Sequence, residues 1–104
     1  MNLVTLYAVF ADRNEAERIA MTVVEERLAA CANILPPIRS IYRWRGAVQS
    51  ADEIAAIFKT TEQVSEALMA RVASLHSYDV PCAVIWPIDK ALKPYAEWVE
   101  DNVG

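Results

Sequence analysis

The sequence predicts a single α+β domain over residues 1–104, and three patterns carry that prediction. Stretches of period-two alternation exchange with stretches of helical spacing, in the order strand, helix, strand, strand, helix, strand and a terminal helix. The two middle strands make one long hairpin, Ile38 to Thr61, turning at Gly46. The strands also carry apolar residues on both faces, whereas helices packed on one side of a sheet cover only one.

Leu3 to Phe10 reads as a central strand. Val4, Leu6, Ala8 and Phe10 form one apolar face, and Leu3, Tyr7 and Val9 make the other mostly apolar. Asp12 followed by Glu15 has the form of a capping box. Ala16, Ile19, Ala20, Val23, Val24 and Leu28 then recur at helical spacing, which predicts a helix ending near Ala29. Cys31 opens a strand in an apolar run. The Pro36-Pro37 pair that follows marks an edge, a bulge or a bend.

From Ile38 the side chains alternate. Ile38, Ser40, Tyr42 and Trp44 share one face, and Arg39, Ile41, Arg43 and Arg45 the other. Ala47 to Thr61 is the returning strand. Thr60 and Gln63 read as a second capping box, leading into a helix that carries Val64, Ala67, Leu68, Val72 and Leu75 and ends near His76. Pro81 opens a last strand, Cys82 to Trp86, closed by Pro87. A short helix runs from about Pro94 to about Asp101 and directs Tyr95, Trp98 and Val99 inward.

Two split βαβ units with right-handed crossovers give the ferredoxin-like βαββαβ arrangement: an antiparallel sheet, both main helices on one face, and a C-terminal helix. The hairpin is too long for the sheet of so small a domain. Its tip must hang in water or pair with another copy of the chain, and Tyr42, Arg43, Trp44 and Tyr78 are the residues expected at that interface.

At 55% hydrophobic and 23% charged, the chain is globular rather than disordered. A net charge of −4 argues against a general nucleic-acid binder, which needs a basic surface to displace counterions. Arg39, Arg43 and Arg45 read instead as a solvated or intersubunit strand face. No membrane association is expected: Leu28 to Ile38, a long uncharged run, is too short to span a bilayer and holds two prolines, and Leu3 to Ala11 lacks the basic start of a secretory leader. The expected location is the cytosol, where the two cysteines would be reduced thiols.

Residues with chemical potential are few. One histidine, His76, rules out a paired-histidine zinc site within one chain. Two glycines cannot build a Gly-rich phosphate loop, and nothing places a serine on a nucleophile elbow, so no catalytic function is expected. The candidate metal donors are His76, Cys31, Cys82 and Asp79. Each of the first three has an ordinary reading: Cys31 and Cys82 as small core residues, His76 as a partner for free carbonyls at a helix end. As donors, His76 and Cys82 lie across a turn that carries Tyr78 and Pro81. Asp79 adds a carboxylate, and a neighbouring subunit's Cys31 completes the set. Imidazole and thiolate suit copper and zinc over harder ions.

Arg27-Leu28-Ala29-Ala30-Cys31-Ala32-Asn33, Pro36-Pro37 and Ser40-Ile41-Tyr42-Arg43-Trp44-Arg45-Gly46, followed by Phe58-Lys59-Thr60-Thr61 and His76-Ser77-Tyr78-Asp79-Val80-Pro81, resemble the CutA divalent-cation tolerance family. The resemblance runs from Leu3 to about Asp101. It implies a homotrimer whose long hairpins bridge neighbouring sheets about a threefold axis. It also implies a part in tolerance of divalent cations, copper above all, with His76 and Cys31 at the associated positions and no required cofactor. The chain departs from the family where Cys82 replaces the glutamate common after Val-Pro. Some members also carry a cysteine and a second histidine at the places of Ala8 and Leu75. Two other readings stand beside this one: a PII-like signalling trimer that binds small molecules at intersubunit clefts, and a ferredoxin-like-fold enzyme that uses its sheet face as a pocket. Fold alone decides between none of them.

Overall fold

The computed structural model describes residues 2–104. Its elements are β1 (Leu3–Phe10), α1 (Arg13–Glu25), β2 (Cys31–Ile34), β3 (Ile38–Trp44), β4 (Ala47–Thr61), α2 (Glu62–Leu75), β5 (Ala83–Pro87) and α3 (Lys93–Asp101). The sheet has the order β2-β4-β1-β5 with all pairs antiparallel, and β3 pairs with the distal half of β4. β1 is central, as its two apolar faces require.

Alternation sorts the side chains onto the two faces. Leu6, Ala8 and Phe10 of β1 join Ile54, Ala56 and Phe58 of β4 against Ala16, Ile19 and Val23 of α1 and Leu68 and Val72 of α2. Phe10 and Phe58 are fully buried there. Removing a side chain of that size from water contributes about 1.5–3 kcal/mol. The opposite face is covered only at one end, where Val99 of α3 packs with Leu3 and Ala30. Elsewhere on that face Tyr7 stacks on Trp86 with ring centroids 5.0 Å apart, and Trp86 and Val84 stay 49% and 42% exposed. Trp98, expected to point inward, is exposed and lies against Tyr95 instead.

α1 stops at Glu25, four residues before the expected end near Ala29. Arg27 turns the chain at φ +63°, its N–H donates to the Val24 carbonyl, and the Leu28 N–H reaches back to Val23. This is a Schellman stop with arginine where glycine is usual, so no glycine announced it. Arg27 gains by the position, because its guanidinium donates to the carbonyls of Gly104 and Asp101 and its own carbonyl accepts from the Gly104 N–H. The first capping box forms in part: the Asp12 side chain accepts from the Glu15 N–H at 2.8 Å. The second does not. Thr61 is the N-cap of α2, without a side-chain bond, while Thr60 is buried and donates its hydroxyl to the Leu28 carbonyl.

Pro36 and Pro37 divide the ascending limb into β2 and β3, the bend they were expected to make. Beyond that bend β3 and β4 run out as a two-stranded ribbon in which every residue from Ile41 to Ser50 is exposed. The ribbon stretches the molecule to 45 × 25 × 23 Å. The radius of gyration is 14.2 Å, against about 13 Å for a compact chain of ~100 residues. Arg45 and Gly46 close the ribbon at φ +50° and +81°, the paired positive angles of a type I′ turn. A methyl group on Gly46 would meet no atom within 4 Å, so only backbone strain opposes it. Gly46→Ala is expected to cost about 1–2 kcal/mol, read as a lowered urea midpoint with unchanged slope.

Candidate functional site

The loop from α2 to β5, residues 76–82, crosses the end of β1 and meets the root of the ribbon. α2 ends when His76 turns extended, and the His76 side chain goes inward with no exposure. The ring stacks on Phe10 with centroids 4.9 Å apart. Nε2 lies 2.7 Å from the Val9 carbonyl, and Nδ1 accepts from the Tyr78 N–H at 3.1 Å. A carbonyl can only accept and a backbone N–H can only donate. Together they define the neutral tautomer with its proton on Nε2. The structural role foreseen for His76 is therefore filled, through a β1 carbonyl rather than the free carbonyls of its own helix.

Glu15 holds the next residue. Its carboxylate, 6% exposed, accepts from the Ser77 N–H at 2.7 Å and the Ser77 hydroxyl at 3.0 Å, and from the Ala11 N–H at 3.4 Å. Tyr78 then leans over the sheet edge and donates its hydroxyl to Glu53 on β4 at 2.6 Å. Burial first, and the Glu53 carboxylate second, push this phenol above the usual tyrosine range, so it stays protonated.

Cys82 is exposed, not a core residue. It precedes β5 by one position, although its carbonyl still accepts from the Val9 N–H. Burial of the sulfur and, after it, the Glu53 charge raise the thiol pKa. The sign follows: at pH 8 Cys82 carries less thiolate than a free cysteine. Alkylation at Cys82 is expected to begin at higher pH than in an unfolded peptide, and Glu53→Gln to shift that onset down by the smaller of the two effects. A rate–pH profile identical to the peptide's would contradict both causes.

Cys31 lies elsewhere, on β2 at the other edge of the sheet, its sulfur 3.5 Å from the Tyr95 hydroxyl. Burial, then the contact with Cys31, push Tyr95 up to about 12. β2 and β5 stand three strand spacings apart, roughly 14 Å at ~4.8 Å per step. That separation forbids a disulfide, which needs Cα atoms within about 7 Å, and keeps the two sulfurs of one chain off a common ion. Asp79 is exposed on the loop. Among the described residues no group of three or more His, Cys, Asp or Glu side chains is gathered to hold a metal. The donors of one chain therefore do not fit a closed metal site.

Two residues of this edge were not among the candidates. Glu53 looked like any polar position on an alternating strand. Glu15 looked like the far half of a capping box, yet it bonds across to Ser77. Tyr42, Arg43 and Trp44 are exposed on the ribbon, where the Arg45 guanidinium lies 5.6 Å from the Trp44 ring centroid. Arg39 is the one ribbon arginine in an ion pair among the described residues, bonded to Asp52 at 3.0 Å and to the Ser50 hydroxyl.

Comparison with known proteins places this geometry. The family model described as CutA1 divalent ion tolerance protein matches residues 4–102. The divalent-cation tolerance protein CutA of Thermus thermophilus is 45% identical over 86% of this chain and 86% of its own length. The chloroplastic CutA of Arabidopsis thaliana is 37% identical over 95% of this chain, which spans 54% of that protein. Among solved structures, the periplasmic divalent cation tolerance protein CutA from Archaeoglobus fulgidus superposes with a TM-score of 0.95 at 36% identity, covering 98% of this chain and 99% of that one. With the sequence block, the fold and these matches in agreement, the chain belongs to the CutA1 divalent ion tolerance family.

Proposed function

We propose that the protein works as a homotrimer that takes part in divalent-cation tolerance, copper included, by binding a metal ion or small ligand in clefts between subunits, without catalysing a reaction. The strand order and the two helices on one face support the ferredoxin-like reading of each subunit. The observation that carries the trimer is a continuous uncovered face. Trp86, Val84, Tyr7 and Ile57 on the sheet share it with Ile38, Tyr42 and Trp44 on the protruding ribbon, in one unbroken register. Three copies can close such a face by laying each ribbon against a neighbour's sheet.

Clefts between subunits also answer the dispersed donors. Cys82 and Asp79 come from one chain and Cys31 from its neighbour. His76 joins them only by exchanging its bond to Val9 for the ion. Cytosolic residence belongs to this reading and suits two thiols that cannot pair within the chain. Among the described residues no helix is long and apolar enough to cross a membrane.

The test is titration of chelator-treated protein with Cu(I) and Cu(II) in the wild type, His76→Ala and Cys82→Ser, with mass followed on each sample. Cys82→Ser is expected to lose Cu(I) affinity most, because a thiolate selects the softer ion. Equal affinities in all three, with the assembly intact, would contradict the site.

A further inference from the structure

The uncovered face of the sheet carries one lysine. Lys59 projects onto it from β4, on the side opposite the buried Phe58. Thr5 of β1 and Cys31 of β2 flank it in register. Lys90 and Lys93 are exposed, but Lys59 is half-buried, and among the described residues no carboxylate lies within 4.0 Å of its ammonium. Two hydroxyls beside it are also without partners. Thr5 lies directly across the strand pair and Thr61 two residues along β4. They are 8% and 3% exposed, yet neither side chain makes a hydrogen bond among the described residues. The other buried hydroxyls, Thr60 and Ser65, donate to the carbonyls of Leu28 and Glu62. Buried polar groups are paired as a rule, so two unpaired hydroxyls around an unpaired ammonium need a reason. Both keep a path to the open face, because among the described residues no side-chain polar atom sealed from solvent lacks a partner. Tyr95 of α3, its hydroxyl 3.5 Å from the Cys31 sulfur, walls this place on one side, and Trp86, in register with Thr5, walls the other.

We propose that Lys59, Thr5 and Thr61 form an anion site that takes a small organic carboxylate. The ammonium supplies the charge and the two hydroxyls supply fixed donors. A carboxylate offers about four acceptor positions, so one ligand can engage all three groups at once. The single charge matches a monoanion. A phosphate dianion is usually held by several cations or by a glycine-rich loop, and the strand positions in register with Lys59, namely Thr5, Cys31 and Trp86, add no second cation. The apolar body of the ligand lies against the rings of Trp86 and Tyr95. Every group named belongs to one chain, so the proposal goes beyond the reading of an ion held between subunits and stands without it.

Benzoate is the probe and inorganic phosphate the comparison anion. Each is titrated at constant ionic strength into isotope-labelled wild type, Lys59→Met and Thr5→Val, followed by amide magnetic resonance, with the mass and melting of every variant measured. Benzoate should shift the amide signals of Thr5, Lys59 and Thr61 in the wild type, and phosphate should bind more weakly. Lys59→Met keeps the apolar stem without the charge and is expected to bind benzoate at least about tenfold more weakly, and Thr5→Val, which removes one donor at similar volume, about tenfold more weakly. Equal benzoate affinity in wild type and Lys59→Met, with mass and melting unchanged, would overturn the site. Phosphate binding as tight as benzoate's, and lost in Lys59→Met, would overturn the carboxylate assignment. Should Lys59→Met fail to fold, the wild type decides: no benzoate binding, or binding that leaves these three amides unmoved, overturns the site.

Discussion

Trp44→Ala is expected to break the assembly and to lower stability by about 3–5 kcal/mol per chain, the range for truncating a buried large aromatic side chain. In the single chain Trp44 is 39% exposed, and its cross-strand partner, Ala47, is too small to cover it. It stands on the same ribbon face as Tyr42 and Ile38, and Ile41 and Val48 on the other face are 74% and 65% exposed. A two-stranded ribbon is marginal in water by itself, so one that presents apolar residues on both faces needs neighbours. Light scattering and thermal denaturation across a concentration series check the expectation. A variant with wild-type mass and melting would show that Trp44 faces solvent in the assembled protein.

Glu15→Ala is expected to cost about 3 kcal/mol in a chemical denaturation curve. The carboxylate is nearly buried and satisfies the Ser77 N–H, the Ser77 hydroxyl and the Ala11 N–H. Alanine removes a charged acceptor shared by donors of the exposed residues Ser77 and Ala11, and a hydrogen bond to a charged group contributes about 1.5–3 kcal/mol, part of which water restores. Glu15→Gln keeps an accepting oxygen and should lose roughly half as much. Because Ser77 lies between the His76 anchor and the Tyr78–Glu53 bond, Glu15→Ala should also loosen the loop between α2 and β5. A change within about 0.5 kcal/mol of wild type would place Glu15 among ordinary surface residues.

Most of the fold was legible because periodicity reports burial directly. The returning strand Ala47–Thr61 and the central position of β1 follow from alternation alone. The helix ends were harder. Arg27 adopts a left-handed angle that glycine usually signals, and its compensation is a set of bonds to residues more than seventy positions away. Thr60 resembled a cap but turned inward, because strand alternation carries it to the buried face and the Leu28 carbonyl awaits it there.

The loop between α2 and β5 was less legible than the fold. The sequence singled out the His76 to Cys82 segment, but its spacing could not show that both ring nitrogens of His76 are already engaged. Nor could it show that Cys31 and Cys82 stand at opposite sheet edges, because that separation is set by strand order rather than by distance along the chain. Glu53 and Glu15 act through contacts 25 and 62 residues away, which no local pattern records.

The molar mass of the protein in solution at micromolar concentration tests the intersubunit account most directly. Multi-angle light scattering should return about three times the 11.6 kDa chain, with melting that rises with protein concentration. A mass of one chain, with the ribbon still formed, would contradict the trimer and with it every site drawn between subunits.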